Sequence, residues 1–191
     1  MKHIMAQNKN ILYLVLAAAC ILLVPLIAMQ FTDEVAWSPG DFAVAGALLV
    51  GTGLAYELIT RRTGNIAYRL AVGLALATAL FLIWANLAVG LIGSEDEPAN
   101  LMYIGVLAVG ITGALTARFQ PRGMSRVLFA TALAQALVAA IALLAGMYQD
   151  TGSSVPEIIK VNGLFVVLWV GSALLFRRAG ATSSPQNRQP E

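Results

Sequence analysis

The chain has 191 residues, of which 59% are hydrophobic and 12% charged, and its formal net charge is +2. In an ordinary soluble domain about a quarter of the residues are charged. This composition therefore excludes an ordinary soluble domain and indicates an integral membrane protein. The expected partner is the lipid bilayer, and no nucleic acid is expected.

Six apolar runs follow one another along the chain. Most are close to the roughly 20 residues that a helix needs to cross a hydrocarbon core. They predict an all-α fold, a polytopic bundle of six transmembrane helices. The predicted spans are 11–29, 42–60, 70–93, 101–117, 127–147 and 158–176. Residues 1–178 are predicted to form one transmembrane domain, and residues 179–191 a disordered cytoplasmic tail.

The first apolar run also resembles a signal peptide. Lys2 and Lys9 precede it, and "AAAC" ending at Cys20 is similar to a lipoprotein cleavage site. The chain stays apolar after Cys20, whereas a released mature protein would turn polar there. An uncleaved first helix is therefore favoured.

The charges predict the orientation. Every Lys and Arg except Lys160 falls in the termini, the second loop or the fourth loop, and the acids except Glu57 and Glu191 fall on the opposite side. Short positively charged loops stay cytoplasmic during insertion. Both termini are therefore predicted to be cytoplasmic.

Helices two and three resemble helices four and five at an offset of 59 residues. "GALLVGTGLA" from Gly46 aligns with "GVLAVGITGA" from Gly105, and the register continues without a gap through an Arg-containing loop. Gly, Ala and Leu dominate many membrane chains, so chance matches remain the alternative. The pattern predicts a duplicated helical hairpin.

Small residues predict which helix faces pack. Gly51 and Ala55 lie four residues apart in the second span, and Gly110 and Ala114 do so in the fourth. This spacing lets helix backbones approach closely in lipid. The four residues are predicted to be helix-packing positions.

Polar residues within apolar runs are candidates for function, because they are costly in hydrocarbon. Glu57 and Arg61 lie four apart, the spacing of a helical ion pair. They fit either an interfacial anchor or a proton-linked gate. The other amides inside or at the ends of the spans are Asn86, Gln135 and Asn162.

The predicted external loops collect carboxylates and amides. Carboxylates and amide carbonyls suit a cation site, and the candidate ligands are Asp41, Asn86, Glu95, Asp96 and Asn100. The alternative is structural. Asp41 follows Ser38-Pro39 as at a helix start, and the acids of "GSEDEPAN" would only solvate a loop.

The metal and cofactor chemistry is limited by composition. One cysteine and one histidine exclude an intramolecular disulfide, a Cys/His zinc site and a bis-histidine haem within one chain. No cofactor is expected. A metal site would have to use oxygen ligands, and the sequence does not name one.

Two stretches carry a family resemblance. "FTDEVAWSPGDFAVAGALLVGTGLAYEL" and "WANLAVGLIGSEDEPANLMY" resemble a family of small, uncharacterised bacterial multi-spanning inner-membrane proteins, over roughly Phe31 to Tyr103. The resemblance implies a location in the bacterial inner membrane. It implies no activity and no catalytic residue.

Two functional hypotheses follow. The first is a small transporter or channel-like protein with an acidic external vestibule for cations or cationic solutes. The second is a non-catalytic scaffold, assembly factor or accessory subunit that binds further copies of itself or other membrane proteins. Acid and base catalysis by Asp41 and Glu95 ranks last, because no histidine or nucleophile motif accompanies them.

Overall fold

The computed structural model describes residues 2–32, 35–94, 96–147 and 154–182, with side chains described from residue 12 onward. Within these ranges the chain is all-helical, with 82% helix and no strand. The six helices are α1 (Lys2–Ala28), α2 (Pro39–Thr60), α3 (Ile66–Ala88), α4 (Met102–Thr116), α5 (Pro121–Leu144) and α6 (Val155–Thr182), and a 3₁₀ turn (Pro98–Leu101) precedes α4. The predicted all-α, six-helix fold is confirmed.

Five of the described helical segments are long and apolar enough to cross a membrane: α2, α3, the 3₁₀ turn with α4, α5 and α6. The part of α1 whose side chains are described, Leu12–Ala28, is also apolar but shorter. The chain is therefore a multi-pass membrane protein.

The helix ends differ from the predicted spans in two informative places. The third helix stops at Ala88, although the apolar run continues to residue 93. The sixth helix runs to Thr182, so residues 179–182 of the predicted tail are helical. The remaining tail residues, 183–191, lie outside the described residues.

The chain divides into two compact units, Met1–Arg61 and Arg62–Glu191. In the first unit, α1 packs on α2. A Cβ added at Gly53 would lie 2.6 Å from Leu14 Cδ2, so glycine permits this close approach. Of the described side chains of this unit, only Ala18 and Thr60 are buried.

In the second unit, α6 packs against both α3 and α5, and α5 packs against α4. The contacts between α3 and α6 show an antiparallel register. Near one end of the pair, Asn65 Nδ2 donates a hydrogen bond to the Ala179 carbonyl. Further along, Ser172 Oγ donates to the Ala71 carbonyl at 2.7 Å. Beyond that, the ring centroids of Phe81 and Phe165 lie 5.2 Å apart. A buried polar bond and apolar contacts thus join these helices along most of their length.

The helices α4 and α5 form a hairpin through the turn at residues 117–120. Arg118 and Phe119 have positive φ values of 49° and 57°. The Tyr68 hydroxyl donates to the Phe119 carbonyl at 2.8 Å and fastens this turn to α3. The duplication of this hairpin stays a prediction, although α2 begins at Pro39 and the 3₁₀ turn at Pro98, in the expected register.

Candidate functional site

Asn100 organises the connection between α3 and α4. Its Oδ1 accepts from the backbone N–H groups of Leu91 and Ile92, both at 3.0 Å. Its Nδ2 donates to the carbonyls of Ile92 at 3.1 Å and Ser94 at 2.6 Å. The side chain is 4% exposed. Its donor and acceptor capacity is therefore committed to the backbone of its own loop.

This loop also explains why α3 ends early. Gly90 has a φ of +71°, and a Cβ there would collide with the Ser94 carbonyl and lie 2.7 Å from Asn100 Nδ2. Leu91 and Ile92 are buried, at 5% and 0% exposure. Their apolar side chains enter the core from a loop wound around Asn100, and not from a helix.

Asn86, on α3, forms a hydrogen bond with the same α3–α4 loop. Its Nδ2 donates to the Asn100 backbone carbonyl at 3.1 Å. Its Oδ1 is buried and accepts no hydrogen bond from the described part of the chain. Of the five predicted cation ligands, Asn86 and Asn100 are the two that the structure brings into contact.

Two of the three predicted carboxylate ligands, Asp41 and Asp96, lie within the described residues. Asp41 belongs to the first unit, where its Oδ2 accepts from the Ser38 N–H at 2.7 Å while Ser38 Oγ accepts from the Asp41 N–H. This is a capping box at the start of α2. Asp96 is exposed on the loop, and Glu95 lies outside the described residues. The cation site stays a prediction.

Glu57 lies in the last turn of α2, and Arg61 is the residue that caps its C-terminal end. The Arg61 backbone N–H donates to the Glu57 carbonyl at 2.9 Å and closes the helix. The Glu57 side chain is partly buried and the Arg61 side chain exposed. The anchor and the gate both remain predictions.

The predicted packing glycines differ in their surroundings. A Cβ at Gly110 would lie 3.5 Å from Thr131 Oγ1, so this face of α4 contacts α5. A Cβ at Gly51 meets no atom within 4 Å. Ala55 and Ala114 are partly exposed. The close approach of α1 and α2 occurs at Gly53, two residues from the predicted position.

A second polar cluster lies in the core of the larger unit and joins three helices. The Tyr103 hydroxyl from α4 and Gln135 Nε2 from α5 both donate to Asn162 Oδ1 on α6, each at 2.9 Å. Asn162 Nδ2 donates to the Ile158 carbonyl at 3.0 Å. The three side chains are 0%, 0% and 2% exposed. We call these residues the core triad.

Two polar atoms near this core lack partners. Gln135 Oε1 and Trp169 Nε1 are buried and form no hydrogen bond within the described part of the chain. Such atoms are uncommon, because a buried unpaired polar group costs about 1–3 kcal/mol. They mark positions where an additional donor and acceptor would be stabilising.

The described side chains include no group of three or more His, Cys, Asp or Glu residues that could hold a metal ion. The polar chemistry of the core is therefore that of neutral amides, hydroxyls and an indole. It suits hydrogen bonding between helices and recognition of neutral groups.

Sequence reasoning did not identify the core triad as a site. Gln135 and Asn162 stand out as amides within apolar runs, but Tyr103 is typical of an interfacial aromatic. The three residues are separated by 27 to 59 positions. No local pattern shows which helices face one another.

Comparison with protein-family models, curated proteins and solved structures gives no match to this chain.

Proposed function

We propose that this membrane protein is a non-catalytic scaffold, assembly factor or accessory subunit, placed in the bacterial inner membrane with both termini cytoplasmic. The observation that supports the proposal is how few residues of α2 are buried. This largely apolar helix of 22 residues has one buried residue, Thr60. Within the first unit, the part of the α2 surface that does not contact α1 is open to lipid or to the helices of a partner.

The larger unit supports this proposal by its rigidity. Hydrogen bonds join α6 to α3 through Ser172, to α4 through Tyr103 and to α5 through Gln135. These polar groups hold helices together and do not line a charged path. A tightly bonded helical unit is a suitable platform for a partner.

Gly51 provides the test. A Cβ added at Gly51 has no atom within 4 Å and the residue is exposed, so Gly51→Leu would add bulk to an open face of α2. We expect the variant to fold normally and to lose at least tenfold of the partner recovered from native membranes. The measurement is quantitative co-purification of cross-linked complexes, with thermal unfolding as the folding control.

Two glycines supply matched controls. Gly163 on α6 also has open space around its Cβ position, so Gly163→Leu adds the same bulk elsewhere. Gly53→Leu would collide with Leu14 and should lower stability as well as assembly. Recovery of the same complex by wild type and Gly51→Leu would contradict the proposal for this surface.

Cation transport is the second candidate, and the exposed carboxylate of Asp96 on the α3–α4 loop favours it. The full engagement of Asn100 by its own loop weakens it, since that amide oxygen already accepts two hydrogen bonds. If this candidate is correct, the wild-type protein should carry a cation flux in lipid vesicles that Asp96→Asn abolishes. If the scaffold proposal is correct, neither protein should carry a flux.

A further inference from the structure

We propose that the core triad is a binding site for one small neutral molecule that carries a hydroxyl group, held by donation of its O–H to Gln135 Oε1. Water is the smallest such molecule, and a lipid or solute hydroxyl offers the same chemistry. The site is independent of the proposed scaffold function.

The orientation of the two amides follows from their partners. Asn162 Oδ1 faces two donors, the Tyr103 hydroxyl and Gln135 Nε2. Turning the Gln135 amide around would place its oxygen against the Asn162 oxygen and would break this bond. Gln135 Oε1 is therefore fixed as the acceptor that points away from Asn162, and it is the buried atom without a partner.

The triad offers more than one contact to a ligand. Each amide nitrogen carries two hydrogens, and only one bond from each is used, to Asn162 Oδ1 and to the Ile158 carbonyl. The Tyr103 oxygen retains acceptor capacity. A hydroxyl could thus donate to Gln135 Oε1 and accept from a nearby N–H. Buried waters typically make two to four such bonds.

The surroundings select a neutral ligand. The triad contains two amides and a phenol, and its members are almost fully buried. A charged ligand would lose its hydration without gaining a countercharge, which costs far more than burying a hydroxyl. Asn162 lies seven residues after the start of α6, about 10 Å along the helix axis.

The experiment is solution NMR of the full chain in lipid nanodiscs, with ¹⁵N-glutamine labelling and through-space transfer from O–H protons. We expect a cross peak to the Gln135 side-chain NH₂ that is lost in Gln135→Met and kept in Gln120→Met, which changes an exposed glutamine. The peak should also persist in Tyr103→Phe, which removes the phenolic proton beside Gln135. A peak at the water frequency identifies water. A peak at a lipid or solute hydroxyl frequency identifies that source instead.

The assignment does not depend on the variant, since Gln135→Met also removes the Nε2 bond to Asn162 Oδ1 and is expected to lower Tm with or without a ligand. If the variant does not fold, the wild-type signal can be assigned through contacts to the Tyr103 ring, whose hydroxyl shares an acceptor with Gln135. The absence of any O–H cross peak to Gln135 other than that of the Tyr103 hydroxyl would overturn the proposal.

Discussion

Replacing Asn100 with alanine is expected to lower the free energy of unfolding by about 3–5 kcal/mol, the largest single effect in the protein. The substitution removes four hydrogen bonds and strands the N–H groups of Leu91 and Ile92 and the carbonyls of Ile92 and Ser94. Each buried unpaired group costs about 1–3 kcal/mol, and water entering the opened loop recovers part of the total.

The measurement is thermal unfolding of the purified protein in nanodiscs, together with limited proteolysis of the α3–α4 loop. Asp96→Asn is the matched control, because Asp96 is exposed on the same loop and its change should stay within about 0.5 kcal/mol. If Asn100→Ala lowered the free energy of unfolding only in the presence of a particular cation, Asn100 would be an ion ligand. Its hydrogen bonds to the loop backbone would then not be the source of the stability.

Replacing Asn162 with leucine is expected to cost about 2–4 kcal/mol. The change leaves the Tyr103 hydroxyl and Gln135 Nε2 without their shared acceptor in the core. Hydrogen bonds between membrane helices average about 0.6 kcal/mol and reach about 1.7, so two of them account for about 1–3 kcal/mol of this loss.

A rescue experiment distinguishes the loss of the hydrogen bonds to Asn162 from the change in side-chain packing at that position. Adding Tyr103→Phe and Gln135→Met to Asn162→Leu removes the stranded donors, and we expect more than half of the lost stability to return. Thr112→Val, on an exposed position of α4, is the control for changing a helical polar residue. An additive loss across the three substitutions would contradict the assignment of the triad as a coupled cluster.

The helices were predictable because hydrophobic length is a strong signal in a membrane chain. Their ends were less so, and the α3–α4 loop shows the reason. Leu91 and Ile92 extend the apolar run beyond Ala88, but they are buried from a loop that Gly90 turns at a φ of +71°. Hydropathy reports the burial of a residue and does not report the backbone that buries it.

The roles of the polar residues were harder to predict. Asn100 was a candidate ion ligand because it follows three acids, but the sequence does not show that its amide fits the backbone of its own loop. The partnership of Gln135 with Asn162 depends on which faces of α5 and α6 meet. In lipid both the core-facing and the lipid-facing sides of a helix are apolar, so periodicity gives little guidance.

The packing glycines show the same limit. The spacing of Gly51 and Gly110 is equivalent in sequence, yet Gly110 contacts Thr131 and Gly51 meets nothing within 4 Å. Small residues permit close packing, and the position of the neighbouring helix decides which of them is used.

The expected role of Asn86 and Asn100 is to join the α3–α4 loop to α3 and not to bind cations. It is tested most directly by the thermal stability of the full chain across a series of monovalent and divalent cations at matched ionic strength. A ligand at a hundredfold excess over its dissociation constant stabilises the folded state by about 2.7 kcal/mol. We expect no cation to raise Tm selectively. A selective rise that disappears in Asp96→Asn would contradict the account and establish a cation site.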